Sequence, residues 1–170
     1  MKFNWREKYA KMMRGFERLE RIYTDTGSSI STDDAREATE NFFSHAYHLK
    51  DYLKRAFPEK AQRVEDCVTA SRALSLVADL RNSFKHGHDV KTRCTDHEKE
   101  TGVPASGGLV RINTHTKIDL TPTMSQCSQR LEITFENGTF DALDLATETV
   151  KAWDDFLAVE GISSASSGSS

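Results

Sequence analysis

The residues best suited to chemistry sit in one short run, Arg81-Asn82-Ser83-Phe84-Lys85-His86, closed by Gly87. A guanidinium binds a phosphate through several donors at once, and an imidazole moves protons near neutral pH. Together they can handle a phosphodiester without a metal. On a helix Asn82 and His86, four residues apart, share a face, so the amide can orient the ring or its substrate. Arg81 and His86 are five apart, about 140° around the axis, and cannot reach one atom from a single regular helix. A second chain would have to complete such a site. In the last turn of a helix, free carbonyls favour the protonated form of His86, which suits an acid.

A second group, His45, His48 and Asp51, recurs at intervals of three and occupies one helix flank. Zinc on a helix prefers ligands four apart with a third from elsewhere, so no metal or other cofactor is expected here. His48 and Asp51 are expected to border the same cleft as His86, with Lys85 and the ring of Tyr47 contacting substrate. Phe42, Phe43 and Tyr52 are expected in the core, as is Cys67 beside Val64 and Val68. The competing reading is structural: Arg81 pairs with Asp79 or Asp51, and His86 only caps carbonyls.

The elements that must carry these residues follow from periodicity. Trp5, Tyr9, Met12, Phe16, Leu19 and Tyr23 recur every three or four residues and predict a long amphipathic helix, broken at Gly27-Ser28-Ser29. Ser31 caps a second helix with Ala35, Ala38, Phe42, Ala46, Leu49 and Leu53 inward, and Pro58 ends it near Ala56. A short third helix carries Ala61, Val64 and Val68; Ser71 caps a fourth with Leu74, Val77, Leu80 and Phe84, stopped by Gly87. From Asp89 to Gly108 the chain reads as loop, and His88, His97 and His115 are assigned to loops. Leu109 to Ile112 alternates weakly, whereas Leu131, Ile133 and Phe135 alternate clearly before the turn pair Asn137-Gly138. Asp141 caps a last helix with Leu145, Val150, Trp153, Phe156 and Leu157 inward, ending at Gly161. The expected architecture is mainly α: one domain over residues 1–162, four to five helices, and a small antiparallel β-hairpin insertion at about 108–141 before the last helix. Residues 163–170 are expected to be a flexible Ser-rich tail.

Composition narrows the classes. The 170 residues carry a net charge of -3, which argues against coating nucleic acid by bulk electrostatics. Charge is uneven: residues 48–63 sum to +3 and 131–160 to -7, predicting a basic and an acidic face. No apolar run is long enough to span a membrane, and three unevenly spaced cysteines form no disulfide framework, so a cytoplasmic protein is expected.

The Arg81-Asn82-x3-His86 stretch resembles the HEPN superfamily, whose members share a bundle of four or five helices and an Arg-x4-6-His motif with Asn, Asp or His after the Arg. The run from Asn41 to Lys54, Asn-Phe-Phe-Ser-His-Ala-Tyr-His-Leu-Lys-Asp-Tyr-Leu-Lys, is similar to the matching helix of small bacterial HEPN-like proteins. That resemblance implies a homodimer whose two motifs line one cleft, and a metal-independent endoribonuclease of toxin or phage-defence type, with a cognate antitoxin or partner protein. It implies that Arg81 binds the scissile phosphate, His86 acts as general acid or base, Asn82 orients them, and cleavage leaves a 2′,3′-cyclic phosphate. Many such domains do not cleave, and the alternative is a non-catalytic dimeric binding or adaptor module.

Overall fold

Helix ends in this chain are closed by the side chains that the sequence offers for the purpose. In the computed structural model, which describes residues 4–24, 30–86, 111–121, 124–135 and 138–163, Ser31 Oγ accepts from Asp34 N (3.0 Å), Ser71 Oγ from Leu74 N (3.3 Å), and Asp141 Oδ1 from Leu143 N and Asp144 N. Each bond satisfies an orphan donor of a first turn. These caps open α2 (Thr32–Ala56), α4 (Arg72–His86) and α5 (Ala142–Val159). Helix α1 is Trp5–Thr24, and α3 (Ala61–Ala70) follows a 3₁₀ turn, Pro58–Lys60, in which the proline stands at the start. The chain is mainly helical, with a small antiparallel β insertion before the last helix.

That insertion spans the expected stretch, but its first two strands are longer than the sequence suggests. Strands β1 (Arg111–Thr121), β2 (Met124–Phe135) and β3 (Gly138–Asp141) form an antiparallel sheet in the order β1-β2-β3. His115 therefore lies on a strand, paired with Arg130, and not in a loop. Threonines between Ile112, Ile118 and Leu120 dilute the alternation that would have announced β1. The second turn is also displaced by one residue: Phe135 pairs with Gly138, so residues 136 and 137 connect the strands. Gly138 opens β3 at φ 149°, a conformation that L side chains rarely adopt. The expectations for Gly27, for the Asp89–Gly108 loop and for the tail after residue 163 lie outside the described residues, as do the side chains of residues 32, 83–86 and 111–129.

One core joins the layers. From α1 come Trp5, Met12, Leu19 and Ile22; from α2 Phe42, Phe43, Ala46, Leu49 and Leu53; from β2 Leu131, Ile133 and Phe135; from α5 Leu145, Trp153 and Leu157. Polar bonds fix the layers against one another. Trp153 Nε1 donates to Ala46 O (3.2 Å), Tyr23 Oη donates to Leu131 O (2.9 Å), and Tyr9 Oη donates to Asp154 (2.6 Å). Cys67 is half-buried, less enclosed than expected, and burial raises its thiol pKa. The basic and acidic faces also partly cancel. Glu160, with its side chain 3% exposed, takes ion pairs from Lys60 and Arg63 at 2.9 Å each, and Glu65 binds Lys54 and sits 3.8 Å from Lys50.

Helices α1 and α2 approach closely at one glycine. A Cβ on Gly15 would lie 3.2 Å from Phe42 Cα and 3.3 Å from Phe42 Cβ, so the missing side chain lets α1 lie directly on α2. Gly15→Ala should be close to neutral, its gain of about 1 kcal/mol in helix propensity offset by this squeeze. Gly15→Val should lower the unfolding free energy by about 2 kcal/mol or more in a urea titration, because backbone stands where the branched side chain must go. Wild-type stability in the valine variant would contradict the close approach.

Candidate functional site

Where α1 lies on α2 beside α4, basic groups from three helices meet. Lys8 faces the α2 flank: its Nζ donates to His45 Nδ1 at 2.9 Å and stands 5.5 Å from the ring centre of Tyr52. An ammonium has no acceptor, so Nδ1 of His45 must be unprotonated and the ring neutral, with its proton on Nε2. Burial first, then the charges of Lys8, Lys11, His48 and Arg14, push the His45 pKa down to about 4. One turn on, His48 is also held below its usual range, by burial and then by Lys8 and Arg81, with Asp51 pulling the other way. Lys8 itself is lowered by burial, Lys11 and Arg81. Arg81 on α4 thus stands close enough for its charge to act on both α1 and α2.

Arg81 carries one more mark. Its Nε is buried and, among the described residues, finds no hydrogen-bond partner. A buried unmet donor on a cation is costly, and an incoming anion would relieve it. In the competing structural reading Arg81 pairs with Asp79 or Asp51; among the described residues no ion pair joins Arg81 to Asp51, which lies 3.6 Å from Lys54. Asp79 is buried at 2% exposure in the same helix.

Sequence and structure agree only in part on membership. Arg81, His48 and Asp51 are brought together; Asn82 is half-buried beside Arg81, about 100° further round α4. Lys85 and His86 occupy the last turn of α4, and their side chains lie outside the described residues. Tyr47 is half-buried; its ring lies 5.6 Å from that of His48 and under Lys50 Nζ at 4.5 Å, a cation–π contact. Phe42 and Phe43 are fully buried and take no part. His45, His48 and Asp51 do not form a metal cluster: among the described residues no group of three His, Cys, Asp or Glu side chains converges for one, and His45 is spent on Lys8.

Lys8 and His45 as a pair were not legible. Lys8, Lys11, Arg14 and Arg18 recur at three or four residues on α1, which reads as an ordinary solvated face until α2 is laid against it. No helix among the described residues is long and apolar enough to cross a membrane.

The site carries a titration signature. An NMR titration should place His45 near pH 4 and His48 below 6.5, and Lys8→Ala should raise both. Because the folded pKa of His45 is below its unfolded value near 6.5, its share of stability is complete above pH 6.5 and lost as pH falls toward 4. Lys8→Ala should flatten that part of the thermal-stability profile; a wild-type His45 titrating at 6.5 would contradict the cluster. Comparison with protein-family models, curated proteins and solved structures finds no match to this chain, so its own geometry and chemistry carry the functional reading.

Proposed function

We propose that the protein is a HEPN-like, metal-independent endoribonuclease that works as a homodimer on RNA in a reducing, cytoplasmic setting. The observation that carries this is the placement of Arg81, with its unmet buried Nε, within electrostatic reach of a neutral His48 and of Lys8. RNA supplies its own nucleophile, so the protein needs only a base, an acid and a fixed positive charge.

In this reading two histidines divide the work by environment. His48, kept neutral by burial and by Lys8 and Arg81, takes the proton from the ribose 2′-hydroxyl, and the oxygen attacks the adjacent phosphorus. Arg81 and Lys8 neutralise the charge that builds on the phosphorane oxygens. His86, in the last turn of α4, gives its proton to the leaving 5′-oxygen. The P–O5′ bond breaks, and the products are a 2′,3′-cyclic phosphate and a 5′-hydroxyl. Arg81 and His86 diverge by about 140° on α4, which is regular to its end, so the His86 serving one Arg81 comes from the second protomer. Asn82 and Asp51 orient the groups, Lys85 adds charge at the cleft, and Tyr47 offers a face to a base. A toxin or defence role, with a cognate antitoxin or partner protein, belongs to the same proposal.

The test is cleavage of a labelled RNA in excess EDTA, with product ends identified by mass spectrometry. Wild type should release 2′,3′-cyclic phosphate ends. Arg81→Ala, His48→Ala and His86→Ala should each lower the rate by about 10²- to 10⁴-fold without loss of helical circular dichroism. The rate should rise with pH through the lowered pKa of His48, below 6.5. Undiminished cleavage by the Arg81 or His48 variant would remove the proposed chemistry, and an intact protein that binds partners but never cuts would return the adaptor reading.

A further inference from the structure

Beside the proposed reaction centre lies a groove of about 290 Å³ between α1 and α2, lined by Lys11, Arg14, Arg18, Asn41 and His45, with Gly15 and Ala38 as small residues at its floor. We infer that this groove holds the sugar–phosphate backbone of a single-stranded polynucleotide and leads it to Arg81. The inference rests on the RNA reading above and assigns it a strand path.

Three features point to a polyanion. First, the cations are strung out, not convergent: from Lys8 to Arg18 α1 advances about 15 Å, longer than a single phosphate group. Second, among the described residues no carboxylate lines the groove, in a chain whose net charge is -3. Glu7 pairs with Lys11 at 2.9 Å from one end, and Asn41 donates to Glu37 at 3.3 Å, but the Glu7–Lys11 pair is largely exposed and therefore weak. Third, the groove is continuous with the reaction centre through His45, which lines it and accepts from Lys8.

Why the floor is small also follows. Gly15 and Ala38 let the helices approach without filling the trough between them, so the long cationic side chains stand as walls. Arg14 and Arg18 are exposed and can be truncated without touching the core. An acidic protein segment is the competing occupant; a strand with one charge at every nucleotide, meeting cations at every helical turn, fits the regular spacing better.

A labelled 2′-O-methyl uridine decamer separates this inference from the cleavage proposal, because it keeps the phosphates and lacks the nucleophile. Fluorescence anisotropy with the full chain between 50 and 200 mM salt should give a log–log slope of about -3, near -0.7 per phosphate contacted. The double variant Arg14→Ala/Arg18→Ala should bind at least about ten-fold more weakly, with a slope smaller by about 1.4. Lys151→Ala, an exposed charge on α5, should change neither. In parallel, Arg81→Ala should lose cleavage while the groove variant retains turnover at saturating RNA and needs more RNA to reach it. An unchanged slope in the double variant, an equal loss in the Lys151 control, or selective binding of poly-glutamate over the decamer would overturn the inference. A decamer that binds through the groove in a protein that never cleaves would sink the catalytic reading and leave the strand path standing.

Discussion

Positive charge held half-buried, close to two neutral imidazoles, is the constraint on which the rest of this structure turns. Lys8 donates to His45, Arg81 acts on His48 and Lys8, and each group makes the next harder to protonate. A cluster of this kind costs folding free energy, which the core of α1, α2, β2 and α5 supplies. In the proposed reading a bound anion offsets that cost, and the Nε of Arg81 is buried without a partner among the described residues.

The scaffold explains why the cluster can exist at all. Gly15 lets α1 lie close on α2, the two helices that bring Lys8 to His45, and Trp153 donating to Ala46 O ties the middle of α2 to α5. Elsewhere charge is compensated in the ordinary way, with Glu65 under Lys54 and Glu160 under Lys60 and Arg63. From Arg18 past His45 to Arg81 compensation is thin among the described residues: Lys11 pairs with exposed Glu7, and Arg14, Arg18 and Arg81 take no ion pair from them. Differences in compensation, more than differences in net charge, separate a functional surface from a solvated one.

How much of this was legible depended on whether a signal was local. Caps at Ser31, Ser71 and Asp141 and the 3.6-residue periodicity of the helices are written in neighbouring residues, and those elements formed where expected. The long β1–β2 hairpin was under-read because threonines stand where apolar residues would mark one face of β1, and the turn before β3 slipped by one residue because Asn137-Gly138 looks like the ideal pair. Arg81, Asn82 and His48, which the proposed function uses, stand out by residue type and spacing. Lys8 and the groove of Lys11, Arg14 and Arg18 could not, since their meaning comes from the packing of α1 on α2 across Gly15, a contact between residues 27 positions apart.

The most direct measurement is the response of the histidine rings to a phosphodiester. Long-range ¹H–¹⁵N spectra of the full chain, recorded at pH 6 with and without a 2′-deoxy dinucleotide, report protonation and contact at His45 and His48 separately. Without ligand His45 should be neutral and His48 less protonated than a free imidazole, and His48 should shift toward imidazolium when the phosphate neutralises Arg81 and Lys8. A His45 ring already charged at pH 6, or a His48 ring that does not respond to saturating ligand while Arg81→Ala binds it equally well, would contradict an anion site at this place.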